Sequence, residues 1–295
     1  MIRKCAWVFL LWPLFTSCEK SIQFTPNEQS PLLVVEATIE NDRAPMVILS
    51  KTLNYFDKVN PQILAGSFVR NADVWVSNGT QTQRLKEYKI PDVNGYDVYY
   101  YSIDSSNLAN AFVGKLGTSY QLKISAEGKS YTASTEILPL YKKIDSIWTE
   151  PAKIKTDSSL MRLMVRATDP PGYGNYIRYF TSVNNAAFLP GRNSVFDDQI
   201  IDGTTYSIQV EQGVNRNVVL DEASYNLFKK GDTITFKFCN ITKSTFNFWR
   251  TMEYSYASIG NPFSTPTKVL GNIQGGALGY FGGYAVQYIS CIAGK

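Results

Sequence analysis

The stretch LLVVEATIENDRAPMVILSKT, at residues 32–52, decides the fold of this chain. Its two ends, LLVVEATIE and MVILSKT, are rich in β-branched and aliphatic residues, and NDRAP between them is typical of a turn. The pattern predicts two antiparallel strands joined in a hairpin. Short apolar runs separated by Gly, Asn, Asp and Pro continue along the chain, so we expect an all-β fold.

The segment DVWVS, at residues 73–77, extends this pattern. Val74 and Val76 fall on one face of the expected strand and Trp75 on the other. Asn78-Gly79 follows as a strong hairpin signal, and further strands are expected at 83–88, 96–103, 119–125 and 130–137. About seven short strands with frequent turns predict an immunoglobulin-like or fibronectin-like β-sandwich over residues 32–140. The Cys…Trp…Cys pattern of true immunoglobulin domains is missing, so the prediction concerns architecture only.

A second β-sandwich domain is predicted over residues 141–295. Its strand signals lie at 144–148, 160–167, 176–183, 206–211, 232–240 and 284–292, with a turn at 169–172. Two segments have helical patterns: residues 221–230, which end before Gly231, and residues 244–257. The second segment places Phe248, Trp249, Met252 and Tyr256 on one side. We expect this helix to begin after Thr242 or Ser244 and to pack across an open face of the sheet.

Residues 1–17 are predicted to form a lipoprotein signal peptide. Arg3 and Lys4 precede the apolar run CAWVFLLWPLF at 5–15, which is too short to span a bilayer. The small residues at 16–17 then precede Cys18, a pattern that predicts lipid transfer to the Cys18 thiol and cleavage before it. The alternative is an ordinary secretory signal with an incidental cysteine. Residues 18–31 would be the lipidated cysteine and a polar tether. We expect attachment to the outer membrane, and the sequence leaves the leaflet open.

The charge balance and the length of the apolar runs limit the classes of partner expected for the chain after cleavage. Cleavage would remove Arg3 and Lys4 from the 29 basic residues and leave 27 against 25 acidic ones. No concentrated basic patch is present, so nucleic acid is not an expected partner. No later apolar run reaches membrane-spanning length, so acyl chains on Cys18 are the expected membrane anchor.

The chain contains no histidine, which excludes several kinds of active site. Ser-His-Asp and Cys-His catalysis and histidine-bound zinc all require one. A pair of carboxylates or a Ser-Lys pair remains, and neither is recognisable from spacing alone. The sequence therefore favours a protein that is not an enzyme and that needs no cofactor.

Cysteine and aspartate residues leave two further questions open. Cys239 and Cys291 are the remaining candidates for a disulfide in an oxidising compartment, and the alternative is two separate buried thiols. Asp197, Asp198 and Asp202 form the densest acidic group and have the oxygen ligands that Ca²⁺ prefers. A solvated loop explains this group equally well, so no metal site is predicted.

The glycine-rich segment NIQGGALGYFGG, at 272–283, carries Tyr280 and Phe281. One interpretation places these aromatic side chains in the core, with the glycines allowing close backbone approach. The other is an exposed loop in which Tyr280 and Phe281 contact a partner. Both remain open at this point. The run Tyr99-Tyr100-Tyr101 has a similar ambiguity between ligand stacking and an ordinary half-buried sheet.

Five stretches carry a family likeness: CEK at 18–20, LVVEA at 33–37, YQLKISAEGKSYTAST at 120–135, IDSI at 144–147 with DPPG at 169–172, and NPFSTPTKVLGNIQGGALGYFGG at 261–283. In them the chain resembles a family of Bacteroidota lipoproteins, classed as a domain of unknown function and often encoded beside TonB-dependent outer-membrane receptors. The resemblance implies an envelope location and such a receptor as partner. None of its motifs is catalytic.

Three functions follow as hypotheses. The first is a non-enzymatic accessory lipoprotein that binds a partner or ligand at an outer-membrane transporter. The second is a structural or adhesive surface lipoprotein. The third is a carboxylate-dependent hydrolase, which requires two acidic side chains facing each other across a cleft.

Replacing Cys18 tests the lipid anchor. Cys18→Ala should abolish incorporation of an alkyne fatty acid while the body stays folded, because the polar tether contributes little to a core. Each buried CH₂ of an acyl chain contributes about 0.8 kcal/mol to membrane binding, which a polar tether cannot replace. Labelling of cells followed by circular dichroism of the purified variant checks both points. A wild-type protein that takes up no label would contradict the anchor.

Overall fold

The first predicted hairpin is present in the computed structural model. It consists of β1 (Leu33–Glu40) and β2 (Met46–Lys51), with Val35 opposite Leu49 in antiparallel register. Alternate residues of β1 are buried, as a strand with one face on the core requires. The structure describes residues 30–53, 58–93, 95–109, 111–152, 157–259, 261, 263–265 and 267–295. The predicted signal peptide and Cys18 lie outside these ranges.

Strands dominate the described part of the chain, so the all-β, sandwich-like fold is confirmed. The later strands are β3 (Asp73–Ser77), β4 (Thr82–Val93), β5 (Tyr96–Ile103), β6 (Thr118–Ala126), β7 (Lys129–Ile137), β8 (Lys143–Pro151), β9 (Leu160–Thr168), β10 (Tyr176–Val183), β11 (Leu189–Phe196), β12 (Thr205–Val210), β13 (Phe228–Lys229), β14 (Thr233–Ile241) and β15 (Leu278–Ile292). The helices are α1 (Pro61–Ser67) and α2 (Lys243–Ala257).

Eleven strands form one hydrogen-bonded sheet, in the order β11-β10-β14-β15-β1-β2-β5-β4-β3-β6-β7. The long strand β15 links its two parts. Its residues 278–284 run parallel to β1, and its residues 285–292 run antiparallel to β14. In a second sheet, β9 pairs with β8 on one edge and with β12 and β13 on the other.

Separate hydrophobic cores lie on the two sides of this junction. The first contains the inward side chains of β1 to β7 together with Phe281 and Ala285 of β15. The second fills the space between the small sheet and the strands β10 and β14, and its largest members include Tyr179, Phe228 and Phe236. A third cluster lies under α2, so residues 236–241 of β14 are buried on both faces, the polar Lys237 and Asn240 included.

Helix α2 confirms the prediction for residues 244–257. The hydroxyl of Thr242 accepts a hydrogen bond from the backbone N–H of Thr245, at 3.2 Å, and so caps the first turn. Phe246 and Phe248 are buried against the sheet, and the Phe248 ring stacks on Tyr280 of β15 at 4.6 Å between centroids. The helix therefore covers the face of the sheet opposite the second core.

One predicted helix is absent, and one helix that is present was not predicted. The helix predicted at 221–230 is absent: the Asp221 carboxylate accepts hydrogen bonds from the Ala223 N–H and the Ser224 hydroxyl, which favours a turn. Phe228 then pairs with Met161 and is buried, so the segment ends as a strand. Helix α1 was not predicted, although Asn60 caps it by accepting from the Ile63 N–H at 2.9 Å.

Lys142 lies at the passage from β7 to β8. Its backbone N–H donates to the side-chain oxygen of Asn240 at 2.8 Å, and its carbonyl accepts from the side-chain N–H of Asn240 at 2.9 Å. The same carbonyl also accepts from the Gln287 side chain. Its ammonium group forms a 2.6 Å ion pair with Asp169, and the two side chains are 1% and 0% exposed. The connection between the two predicted domains is thus fixed to β14, to β15 and to the turn after β9.

Pro31–Lys295 form one compact unit, because β15 belongs to both sides of the predicted boundary near residue 140. The two predicted domains correspond to separate cores within this unit. Independent folding of residues 32–140 and 141–295 stays a prediction.

Breaking the buried ion pair should destabilise the protein strongly. Asp169→Asn leaves the Lys142 ammonium buried without its ion-pair partner, and removing one partner of such a pair costs about 3–5 kcal/mol of unfolding free energy. Urea unfolding measures the loss. Glu222→Gln is the control, because Glu222 and Arg192 pair at 2.7 Å on the surface and such exposed pairs contribute little to stability. Equal losses in the two variants would contradict the role given to Lys142 and Asp169.

Candidate functional site

Tyr280 and Phe281 do not form a partner-binding loop. Both lie in β15 and are buried, with Phe281 in the first core. The Tyr280 hydroxyl lies 3.1 Å from the Thr245 hydroxyl under helix α2. The prediction of a binding loop is wrong and the core interpretation holds, because this glycine-rich segment pairs with β1 as a strand instead of projecting into solvent.

Cys239 and Cys291 are free thiols in the structure, so the disulfide is not formed. They lie on the neighbouring strands β14 and β15, but Cys239 is opposite Val286 and Cys291 is opposite Ile234. An offset of five positions separates them by about 16 Å along the strands, at about 3.3 Å per residue. Disulfide Cα atoms lie within about 7 Å of each other. Burial raises the pKa of the Cys239 thiol to about 12, as in an inert core residue.

Asp198 and Asp202 join two loops that are distant in sequence. The Asp198 carboxylate accepts from the backbone N–H groups of Gly174 and Asn175, both at 2.8 Å, and Asp202 accepts from Gly172 at 2.7 Å. The DPPG turn is thereby held against the loop after β11. These bonds give the acidic group a structural role.

The same group also brings Asp169, Asp198 and Asp202 together, with carboxylate oxygens within 4.8 Å of one another. Such oxygens are suitable ligands for a divalent cation. Each carboxylate already has a protein partner, namely Lys142 or backbone amides. The neighbouring Asp197 lies 4.0 Å from Arg250. Asp169 and Asp198 are nevertheless buried, so the cluster is not the solvated loop that the sequence suggested, and the Asp169 carboxylate has the Lys142 ion pair but no hydrogen bond among the described residues.

The three consecutive tyrosines of β5 are largely covered. Tyr101 is buried, and desolvation raises the pKa of its hydroxyl to about 12. The Arg70 guanidinium lies 4.1 Å over the Tyr99 ring, and Tyr100 stacks on Tyr88 at 5.5 Å. The tyrosine run therefore belongs to an ordinary half-buried sheet.

A different surface has the character of a binding site. We call it the Trp75 face; it consists of the outward side chains Asp73, Trp75 and Ser77 on β3, Thr82 and Arg84 on β4, Gln121 and Lys123 on β6, and Thr132 and Ser134 on β7. The strand register places Arg84, Trp75, Lys123 and Thr132 in one row across the sheet. Trp75 is the one apolar member, and it faces away from the buried Val74 and Val76.

The Trp75 ring is held in one orientation. Its indole N–H donates to the Asp73 carboxylate at 2.8 Å, and the Arg84 guanidinium pairs with the same carboxylate at 2.7 Å. The indole bond is the largest cause that keeps the pKa of Asp73 below its ordinary value. Trp75 is half-buried, and among the described residues no aromatic ring or cation stacks on its indole, so the exposed part of the ring is open to contact.

Two cavities adjoin this ring. One, of about 610 Å³, extends toward Lys86, Glu87 and Asp104, and the other, of about 640 Å³, extends toward Gln121, Thr132 and Gln274. Trp75 and Thr82 line both cavities. Ligand pockets in proteins have volumes of about 300–1,000 Å³. Trp75 thus stands between two open concave surfaces, the first mainly polar and the second of mixed lining, each large enough for a small ligand or one end of a longer one.

A second tryptophan has the same local arrangement without the cavities. The Trp148 indole N–H donates to Glu150 at 3.0 Å, and Arg162 pairs with Glu150 at 2.6 Å. Trp148 is half-buried on β8 and lines neither of the two cavities. A hydrogen bond from an indole to a nearby carboxylate is therefore not by itself a sign of binding. Trp148 serves as the control for Trp75 in the experiments below.

The sequence indicated that Trp75 faces away from Val74 and Val76, but it did not indicate a site. Its members on β6 and β7 could not be located from the sequence, because the pairing of β6 with β3 and of β7 with β6 beside this hairpin has no local signal. A tryptophan between polar residues on an alternating strand was the available clue.

Fold and site together define an all-β protein with a helix across one sheet and an oriented tryptophan on a polar sheet face. Within the described ranges, no helix has the length and apolar character needed to cross a membrane. The family model described as Domain of unknown function (DUF4249) matches residues 19–290, and the chain belongs to that family. Comparison with curated proteins gives no match.

Acid should break the hydrogen bond between the Trp75 indole and the Asp73 carboxylate. Because the pKa of Asp73 is lowered in the folded state, its bond to Trp75 stabilises the fold above the unfolded-state value of about 3.9 and is lost as the pH falls through the folded value. The indole N–H resonance of Trp75 should therefore titrate with a midpoint below 3.8. Asp73→Asn should remove this step, and the Trp249 resonance, bonded to Tyr284, should not follow it. A midpoint above 3.8 would contradict the assignment.

Proposed function

We propose that this chain is a non-enzymatic lipoprotein of the cell envelope that binds its ligand at the Trp75 face, as an accessory of an outer-membrane transporter. The observation that carries the binding role is the oriented indole of Trp75 between two cavities. The envelope location is supported by the signal pattern before Cys18. The transporter is supported by the resemblance to lipoproteins encoded beside TonB-dependent receptors.

The carboxylates near the Trp75 ring favour binding over hydrolysis. Hydrogen bonds from the Ser106 hydroxyl and N–H, together with Lys86, lower the pKa of Asp104 to about 2. Desolvation would raise the pKa of Glu87, but bonds from Asn71, Tyr101 and Arg70 lower it overall. A glycosidase-type general acid needs a raised pKa to hold a proton near neutrality. These groups are ionised hydrogen-bond acceptors instead.

The alternative of a structural or adhesive surface lipoprotein makes a different prediction for this face. A spacer domain needs no oriented ring beside a concave surface, and isolated exposed aromatic side chains have no consequence in it. The two cavities that meet at Trp75 therefore support the binding role over the spacer role.

Attachment would follow from the lipid on Cys18. Stable anchoring takes two lipid signals, and a bacterial lipoprotein cysteine carries at least two acyl chains. The polar residues 19–31 would then hold the folded body near the outer membrane. Protease treatment of intact cells decides the leaflet, because a surface-exposed chain is degraded and a periplasmic one is protected.

Photocrosslinking in cells tests the binding role. A photoreactive phenylalanine analogue at Gln121, on the Trp75 face, should give adducts, because Gln121 lines the second cavity. The same replacement at Gln209, an exposed glutamine on β12, is the matched control and should give none. Purification through a tag at Lys295 should also recover an outer-membrane receptor.

Two outcomes would overturn parts of the proposal. Adducts from Gln209 but not from Gln121 would show that the ligand binds elsewhere. Recovery of no outer-membrane receptor would contradict the accessory role. The binding role would then be tested by the Gln121 crosslink alone.

A further inference from the structure

We infer that the ligand held at the Trp75 face is an oligosaccharide. The inference rests on the function proposed above, because it names the chemical class of ligand for the same face. It is drawn from the side chains around Trp75 and from how the sheet spaces them.

The aromatic component is one flat, oriented ring. A sugar ring presents an apolar face of C–H groups and a rim of hydroxyls, so it needs an aromatic plane beneath it and polar groups around it. The Trp75 plane has no covering ring or cation among the described residues, and Asp73 holds its edge. An indole adds much apolar contact area and loses little conformational entropy on binding.

The polar component surrounds that ring on three other strands. Gln121 and Ser134 are exposed side chains that both donate and accept hydrogen bonds, as sugar hydroxyls do, and the exposed Thr132 hydroxyl, which donates to Gln274 at 3.3 Å, can still accept. Arg84 and Lys123, the cross-strand neighbours of Trp75, supply further donors. Strands lie about 4.8 Å apart, so four strands spread these groups over about 14 Å. This width exceeds one sugar ring, which favours an oligosaccharide over a monosaccharide.

A peptide fits this face less well. Both β3 and β6 are paired along both edges, and at the outer edge of β7 the backbone of Thr132 is bonded by Gln274 and the Ser134 carbonyl by Asn272, so these backbone groups are not available for addition of a peptide strand. Helical and proline-rich peptides dock into apolar grooves lined by several hydrophobic or aromatic side chains. Trp75 is the one such side chain on the face.

Single-stranded nucleic acid also fits less well. It binds on a series of aromatic side chains along a positively charged groove. Here Asp73 pairs with Arg84, and Asp104 pairs with Lys86 at 3.1 Å, which removes most of the positive charge next to the ring. Lys123 is left as the cation of the face without an ion pair in the described residues.

Calorimetric titration of the mature chain tests the inference. The probes are gluco-, xylo-, manno- and galacturono-oligosaccharides of four to six units, with a proline-rich and an acidic peptide for comparison. At least one saccharide should bind saturably. Trp75→Ala should weaken that binding at least about tenfold, as loss of a central aromatic contact does. Gln121→Ala should weaken it less, and Trp148→Ala should leave it unchanged.

The outcomes separate this inference from the proposed function. Binding of a peptide and of no saccharide, or no binding by any probe while Gln121 still crosslinks in cells, would overturn the saccharide class alone. No titration signal and no crosslink from Gln121 would overturn both. Saccharide binding that Trp148→Ala weakens as much as Trp75→Ala would also overturn the inference. A thermal melt of each variant checks that its fold is retained.

Discussion

The shared strand β15 is the constraint on which the rest of the structure depends. Its first part can lie against β1 and β7 only because glycines allow those backbones to approach it. A Cβ on Gly279 would lie 1.9 Å from the Val35 carbonyl oxygen, and a Cβ on Gly283 would lie 2.2 Å from that of Glu136. The glycine-rich segment therefore serves close packing between the two halves, and Tyr280 and Phe281 fill the two faces of the strand.

This junction leaves different surfaces free on the two sides of the molecule. Residues 236–241 of β14 and 280–286 of β15 are buried on both faces, with the first or second core on one side and the cluster under α2 on the other. Around β3 and β6, one face covers the first core and the other meets solvent. An oriented tryptophan on the open face has access to a ligand, whereas Tyr280 and Trp249, which lie under or within α2, serve packing.

Local patterns in the sequence predicted the hairpin β1–β2, the alternation around Trp75, and helix α2, because each depends on residues near one another in the chain. Residues 221–230 failed as a helix because Phe228 is more stable paired with Met161, a partner that no local pattern reveals. Likewise, Cys239 and Cys291 lie on neighbouring strands, but the register that separates them is set by the whole sheet. The Trp75 face draws its members from three other strands, so the sequence could show the tryptophan but not its surroundings.

The central claim is that the Trp75 ring contacts a ligand and that the Trp148 ring, which is hydrogen-bonded to a carboxylate in the same way, does not. Residues 18–295 contain three tryptophans, at 75, 148 and 249, so the indole N–H spectrum of this part of the chain is simple to assign. A soluble extract of the native envelope should shift or broaden the Trp75 resonance and leave the Trp148 and Trp249 resonances in place. An unchanged Trp75 resonance beside a shifted Trp148 resonance would contradict the claim.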